Sequence, residues 1–447
     1  MNHSSDEVSV MEMERRVRII QFSKQVNFIK EELMQKTKPF NISKQIVYDA
    51  YKSVKANKGT YGVDEQSIED FEVNLKDNLY KVWNKMSSGA YFPKPVKAVA
   101  IPKKNGGTRI LGIPTIEDRI AQQTAKMYLE PSVEPIFYED SYGYRPNKSA
   151  KQALGVTRER CWRKDFVLEF DIKGLFDNIR HDYLMALVKR HTKEKWILLY
   201  IERWLKAPFQ MKDGAILPRE AGTPQGGVIS PLLANIFLHY AFDDFMVKEF
   251  PTIQWARYAD DGIAHCVSLK QAKYLLKRLE ERFKNCGLEV NLDKTKIVYC
   301  KDDDRKGSHE NTSFDFLGYT FRPRHAKNRY GKYFTNFLPA ISDKAQKSIR
   351  EEIRSWRVQL KSDKRLNDIA NMFNKQIQGW INYYTYFYKS EIYDVLRYIN
   401  NCLVKWVRKK YKKLKARRKA EHWLGTIAKR DRNLFAHWKI GILPSAG

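Results

Sequence analysis

The tetrapeptide Tyr258-Ala259-Asp260-Asp261 constrains this chain more than any other stretch. Two adjacent carboxylates stand between the apolar runs Ile253-Gln254-Trp255-Ala256 and Gly262-Ile263-Ala264-His265. Both runs alternate with the period of a strand, which puts the acidic pair at a hairpin tip. Side-by-side carboxylates in a tight turn repel each other unless a cation neutralises them. A hard dication that takes oxygen ligands, Mg²⁺, suits that task. Taken alone, the stretch also reads as an ordinary solvated Asp-Gly turn.

A third carboxylate shifts the balance. The run Phe166-Val167-Leu168-Glu169-Phe170-Asp171-Ile172 is rich in β-formers and reads as a strand with Asp171 near its C-terminal end. Phosphoryl transfer on two metal ions needs a small carboxylate cluster that holds the ions about 3.5–4 Å apart. Asp171, Asp260 and Asp261 can supply it if their strands are neighbours in one sheet. Lys103 and Arg109 flank an Asn-Gly-Gly turn between two strand-like runs. Such a hairpin carries cations able to meet a nucleotide triphosphate, or is simply a solvated basic turn. Gln225 lies in a Thr-Pro-Gln-Gly-Gly loop, whose glycines let backbone approach a ligand closely. A plain Pro-Gly turn is the bland account of that loop. Lys294 follows Gly287-Leu288-Glu289-Val290-Asn291, and an ammonium positioned there can protonate a leaving pyrophosphate. Lys296 competes for the same role, and either lysine can be a surface residue. The small side chain of Ala259 leaves room beside the acidic pair.

With these motifs in order, the chain resembles the reverse transcriptases encoded by bacterial group II introns, also called maturases. The similar segments are residues 57–64 and 101–115, Ser141-Tyr142-Gly143-Tyr144-Arg145-Pro146, the Asp171 segment, residues 222–236, and the acidic hairpin. Residues 287–296, Phe316-Leu317-Gly318-Tyr319 and Gly379-Trp380-Ile381-Asn382-Tyr383-Tyr384 follow. The resemblance implies an α/β right-hand polymerase fold of fingers and palm, followed by an α-helical thumb or maturase domain and a basic C-terminal tail. It implies an RNA-directed DNA polymerase with two Mg²⁺ ions on Asp171, Asp260, Asp261 and the Ile172 carbonyl. Lys103 and Arg109 would contact the dNTP phosphates, and Gln225 the incoming nucleotide and template region. Phe176 would lie under the sugar, where a ring collides with a 2′-hydroxyl; without the motif, core packing is the better account of it. Implied partners are an RNA template, the intron RNA, a DNA primer or target, and dNTPs. A second implied task is binding the intron RNA to assist splicing and mobility. Many relatives carry a C-terminal HNH-type endonuclease; nothing here resembles it, and none is expected. Two other readings stand beside this one: a splicing-only RNA-binding maturase, and a reverse transcriptase recruited to another task such as phage defence.

Charge agrees with a nucleic-acid partner. The formal net charge is +29, and a globular chain this basic calls for a polyanion. No apolar run approaches the length of a membrane-spanning helix, and the N-terminal sequence lacks a signal pattern, so no membrane partner and a cytoplasmic location are expected. Cys161, Cys266, Cys286, Cys300 and Cys402 are scattered without a paired spacing, as reduced thiols are, which argues against structural zinc.

The expected organisation is an N-terminal extension over 1–41 with a charged helix at 11–35, fingers over 42–149, palm over 150–323, helical thumb over 324–404, and a basic tail over 405–447. Apolar spacing predicts helices at 268–286, 344–360, 366–388 and 391–419. A strand is expected over 314–321, with helix alone after Pro323, and a solvated polar loop over 301–311. Trp380 and Tyr383 are expected to pack first. The run Arg408, Lys409, Lys410, Lys412, Lys413, Lys415, Arg417, Arg418, Lys419 is unopposed by acid and is expected to meet phosphates.

Overall fold

The computed structural model describes residues 38–102 and 107–445. The helix expected at 11–35 and the side chain of Lys103 lie outside the described residues. In chain order the strands are β1 (Val96–Pro102), β2 (Thr108–Ile113), β3 (Phe166–Asp171), β4 (Phe209–Gln210) and β5 (Ile216–Leu217). Then come β6 (Gln254–Tyr258), β7 (Asp261–Cys266), β8 (Lys296–Tyr299), β9 (Phe314–Phe316), β10 (Tyr319–Lys327) and β11 (Tyr333–Ile341). They divide between two compact units.

The first unit combines the described residues up to Phe137 with Gly174–Leu238. Its sheet runs β2-β1-β4-β5. β1 and β2 form an antiparallel hairpin from Lys97 opposite Ile113 to Pro102 opposite Thr108. The helix Ile116–Val133 starts where the Thr115 side chain accepts the Asp118 N–H, satisfying an orphan donor of the first turn. The helix Lys195–Lys206 buries Trp196, Tyr200 and Trp204, four residues apart along one face. Their rings meet Tyr128 and Tyr91 edge-on, at 5.1 Å for Trp196 with Tyr128 and 5.2 Å for Tyr200 with Tyr91.

The second unit combines Tyr138–Lys173 with His239–Gly447. Its main sheet has the order β6-β7-β3-β8 with every pair antiparallel. Phe170 packs on Phe242 and Phe283 at 5.0 and 6.1 Å, while Val167 joins Leu154 and Ile263 in a separate apolar cluster. Val167 and Phe170 differ by an odd number of residues, so opposite faces of the sheet are covered. Hence β7 is buried from Gly262 through Cys266. The alternation expected from its sequence is replaced by burial on both sides, the pattern of a central strand.

β9, β10 and β11 form an antiparallel meander. The run expected as one strand over 314–321 turns at Leu317 and Gly318, whose φ values of 51° and 77° suit a two-residue hairpin turn. β10 and β11 then pair as far as Ile341, and the helix begins at Asp343. The expectation of helix alone after Pro323 is therefore corrected. Pro323 lies past the end of β9, which pairs only with Tyr319–Phe321, so its missing N–H disrupts no β9 ladder. The loop 301–311 is also not simply solvated. Arg305 donates to Asp165 at 2.9 Å and to the carbonyls of Cys161 and Cys300 at 3.0 and 2.7 Å.

The helices Asp343–Ser355, Leu366–Tyr384, Tyr393–Lys410 and Arg417–Arg430 bury one core containing Ile353, Ile377, Leu403, Trp406, Leu424 and Trp438. Trp356 stacks between Phe373 (4.2 Å, 11°) and Trp380 (5.6 Å, 8°), so Trp380 packs as expected. The helix expected over 391–419 is broken. Tyr411 and Ala416 are extended, at φ −110° and −67° with ψ 109° and 130°. Like charges four apart oppose a continuous helix there. Tyr411 instead lays its ring against Trp406 at 6.0 Å and Trp423 at 5.2 Å. Residues of the segment 405–445 thus belong to this core. Among the described residues no helix is long and apolar enough to cross a membrane. The five cysteines are free thiols, buried except for Cys286.

Candidate active site

The acidic turn is built by its two strands. Tyr258 pairs with Asp261, leaving Ala259 and Asp260 as a two-residue turn. Ala259 takes φ 56°, an unusual conformation for a side-chain-bearing residue. Arg257 holds it there. This side chain is fully buried and bidentate on Asp243, at 2.7 and 2.6 Å. It also donates to the Ala259 carbonyl at 3.1 Å and to the Ser141 hydroxyl at 2.8 Å. The backbone beside Ser141 runs along β6, with Tyr142 N–H on the Arg257 carbonyl at 2.8 Å and Arg257 N–H on the Asp140 carbonyl at 2.9 Å. Ala259 is buried at 6% exposure.

β3 is the neighbour of β7, and the register sets Asp171 directly opposite Asp261. Opposed residues in an antiparallel pair share a face with Cβ atoms about 4.5–5.5 Å apart. Close pairing here requires Gly262: a Cβ at that position would sit 2.0 Å from the Phe170 ring. Glu169, two residues before Asp171, falls on the same face. A cleft of about 280 Å³ is lined by Glu169, Asp171, Asp261, Lys294, Asp315 and Lys344, among others.

Desolvation, and after it charge crowding, shows in the titration of this face. Burial, then the charges of Asp260 and Asp171, push Asp261 up to about 7. Burial also pushes Glu169 up to about 8, opposed by Lys296 and reinforced by Asp315 and Asp261. Lys294 donates to Asp171 Oδ2 at 2.8 Å, and that bond raises the lysine above its ordinary value. Asn291 Nδ2 reaches the same oxygen at 2.9 Å. Lys296 instead stands opposite Glu169 in the β3–β8 register. Ile172 is buried and bridges to Val290. The bonds flanking that bridge run from Asn291 N–H to the Asp171 carbonyl and from Lys173 N–H to the Glu289 carbonyl, and do not engage the Ile172 carbonyl.

This face suits a hard cation. Its donors are carboxylate oxygens on one strand pair, and desolvation, then the neighbouring charges of Asp260 and Asp171, push Asp261 up to about 7. Among the described residues no three His, Cys, Asp or Glu side chains already converge as a ligand cage. Lys294 and Asn291 hold Asp171 instead.

Arg109, Gln225 and Phe176 lie in the first unit. Arg109 is on β2, opposite Ile101. Gly112 of the same strand donates its N–H to the Gln225 carbonyl at 2.7 Å. Gly226 takes φ 114°, and a Cβ there would lie 2.4 Å from the Gly112 carbonyl oxygen. The Phe176 carbonyl accepts the Thr223 N–H at 2.7 Å. Arg109's strand, the Gln225 loop and Phe176 are therefore tied into one local network. The candidates Arg408, Lys409 and Lys410 close the helix Tyr393–Lys410. Lys412 and Lys413 lie in a short helical turn, and Arg417 and Arg418 open the next helix.

Sequence reasoning did not single out Glu169, Arg257, Asn291, Asp315 or Lys344. Glu169 was within reach, since i and i+2 share a strand face. Asn291, Asp315 and Lys344 meet the face only through tertiary pairing, and Arg257 supports the turn from the opposite side of the sheet.

Residues 101–321 match the family described as reverse transcriptase (RNA-dependent DNA polymerase). Residues 346–423 match the group II intron, maturase-specific domain. The chain is similar to the group II intron-encoded protein LtrA of Lactococcus lactis subsp. cremoris, 36% identical over 206 residues, 45% of this chain and 34% of that protein. The match thus spans about a third of that relative. It is also similar to the protein YkfC of Escherichia coli (strain K12), 30% identical over 320 residues, 62% of this chain and 80% of that protein. Among solved structures, a telomerase from Candida albicans overlays with a TM-score of 0.44 and 14% identity over 82% of this chain and 70% of that one.

Proposed function

The chain belongs to the reverse transcriptase family that group II introns encode, and from that premise we propose that it is an RNA-directed DNA polymerase. The α/β right-hand polymerase fold comes with that membership. In the proposed reaction a primer 3′-hydroxyl attacks the α-phosphate of a dNTP opposite an RNA template, releasing pyrophosphate. We assign the polymerase fingers to 42–149, the palm to 150–323, the thumb to 324–404 and an RNA-binding segment to 405–447.

Enzymes of this family work with a divalent metal. Asp171, Asp260 and Asp261, with the Ile172 carbonyl, would hold two Mg²⁺; when bound, the ions polarise the attacking hydroxyl and stabilise the departing oxygens. The chain's own groups do the rest by position and charge. Lys294, kept protonated by Asp171, is the proposed proton donor to pyrophosphate. Lys103 and Arg109 neutralise the triphosphate, and Gln225 and Phe176 contact the nucleotide. The compact Ala259 turn leaves room for the substrate. Arg257 is a positioning residue: it fixes the backbone from which Asp260 and Asp261 project. Arg408, Lys409, Lys410, Lys412, Lys413, Arg417 and Arg418 would meet phosphates of the intron RNA, assisting splicing and mobility. The proposed setting is the cytoplasm.

The observation that supports this reading most is the strand register that sets Asp171 opposite Asp261. Primer extension on an RNA template tests it. The purified chain is expected to make cDNA from dNTPs in Mg²⁺, and EDTA to stop it. Absence of extension in both Mg²⁺ and Mn²⁺ would overturn the reading.

A further inference from the structure

The β10–β11 hairpin carries a surface that the proposed chemistry does not use. Residues 319–341 contain Arg322, Arg324, Lys327, Arg329 and Lys332 and no Asp or Glu. The base of the hairpin is anchored. Arg324 donates to Glu391 at 2.6 Å, Thr335 N–H to Asp303 at 2.8 Å, and the Tyr388 hydroxyl to the His325 carbonyl at 3.1 Å. Beyond these anchors every residue from Lys327 to Tyr333 is exposed.

The tip is nonetheless organised. Asn328 N–H donates to the Lys332 carbonyl, and Gly331 N–H to the Asn328 carbonyl, each at 3.0 Å. Asn328 Oδ1 accepts the N–H groups of Tyr330 and Lys332, again at 3.0 Å. Gly331 takes the left-handed φ of 82° that such a turn needs. This fixed turn holds Tyr330 at 78% and Tyr333 at 69% exposure. Arg329 lies 4.7 Å from the Tyr330 ring centre, and Lys327 lies 5.4 Å from that of Tyr333. Two outward rings, each beside a cation, on a hairpin without acid, are the components of a stacking platform for unpaired bases. Because the turn is already ordered, little conformational entropy is lost on contact.

We propose that the tip Lys327–Tyr333 binds an unpaired RNA strand, stacking bases on Tyr330 and Tyr333 while Lys327, Arg329 and Lys332 meet its phosphates. The proposal rests on the nucleic-acid reading above and deepens it. Duplex RNA is a poor fit, because its bases are already stacked on one another and its deep groove closes them off.

Fluorescence anisotropy with a labelled unpaired RNA oligomer, a blunt RNA duplex and the matching DNA strand tests it on the full chain. The variant Tyr330→Ala/Tyr333→Ala is expected to lose roughly tenfold in affinity for unpaired RNA per ring, with the salt dependence unchanged. Tyr330→Phe/Tyr333→Phe keeps both rings and is expected to bind as the wild type does. Lys327→Gln/Arg329→Gln/Lys332→Gln is expected to flatten the plot of log affinity against log salt by about 0.7 per lost phosphate contact. Wild-type binding by both the alanine and the glutamine variants would overturn the proposal. So would equal losses for duplex and unpaired RNA, or a loss confined to DNA. Primer extension on the same preparations separates the two readings. Extension with no binding defect sinks the platform alone, whereas binding defects in a chain that never extends a primer sink the polymerase alone.

Discussion

At the scale of single residues, the acidic face depends on groups that carry no metal-ligand chemistry themselves. Arg257 is buried, with its fork closed on Asp243. Removing one partner of a buried pair leaves the other charge uncompensated and costs about 3–5 kcal/mol. Arg257→Ala is therefore expected to lower the thermal midpoint strongly. Arg257→Lys keeps the charge but loses the planar fork that reaches both Asp243 and the Ala259 carbonyl. It is expected to fold with a smaller loss of stability and to reduce kcat more than the dNTP KM. A lysine variant with wild-type kcat would show that the turn holds itself. Gly262→Ala drives a methyl into the Phe170 ring, and overpacking of this kind costs about 1–3 kcal/mol. Denaturant unfolding of that variant reads the loss directly. Asp171, Asp260 and Asp261 stood out in the sequence because paired acids amid apolar strands are costly without a purpose. Arg257 did not, because an arginine in a strand usually faces water. Only the fold reveals that this one faces Asp243.

At the scale of elements, capping and apolar spacing made several helices legible. The helix expected over 268–286 runs Leu269–Asn285 behind a Ser268 cap, and Asp343–Ser355 follows Ser342 in the same way. The strand Phe166–Asp171 was legible from its β-branched and aromatic content. The reading failed where tertiary packing overrides local pattern. The β10–β11 hairpin was missed because the palm was expected to end at Pro323, which in fact sits where β9 no longer pairs and β10 continues. The break at Tyr411 was missed because the lysine run preserves helical composition while its ring docks on Trp423. The short helix Ala436–Lys439 is held by a buried polar knot. Asn400 Oδ1 faces His437 Nε2 at 2.7 Å and accepts from Trp438 at 2.9 Å, while Asn400 Nδ2 donates to the Ile442 carbonyl at 3.0 Å. Burial pushes His437 down to about 3, and it pushes the buried His265 on β7 to the same level, chiefly by desolvation. A depressed histidine is neutral when folded and protonates more readily when unfolded. Its contribution is intact above the ordinary value of 6.5 and is lost as pH falls from there toward 3. Glu169 and Asp261, raised to about 8 and about 7, act in the opposite sense over the same window. The histidine effect is therefore read by difference: the melting temperature of the wild type minus that of His437→Gln, which cannot titrate, is expected to fall between pH 7 and pH 5. A difference that does not change with pH would contradict the assignment.

At the scale of the whole molecule, a net charge of +29 is a standing cost unless a polyanion offsets it. Binding of RNA is therefore expected to weaken steeply with salt. Under the proposed function two tasks are separate: copying is assigned to the acidic face and RNA binding to the basic surfaces, because carboxylates beside a phosphate chain oppose affinity. Asp260→Ala is expected to abolish cDNA synthesis while leaving RNA affinity and splicing within about twofold of the wild type. A large loss of RNA binding in that variant would show that the two tasks share one surface. In the proposed polymerase, Asp171 and the Asp260–Asp261 turn together grip a pair of divalent ions. Anomalous scattering from Mn²⁺ in crystals of the chain with primer, RNA template and an unreactive dNTP analogue tests it most directly. Two peaks about 3.5–4 Å apart are expected against the Asp171 and Asp261 carboxylates, both lost in Asp261→Asn together with extension. No Mn²⁺ at that face, with primer extension surviving Asp261→Asn, would contradict it.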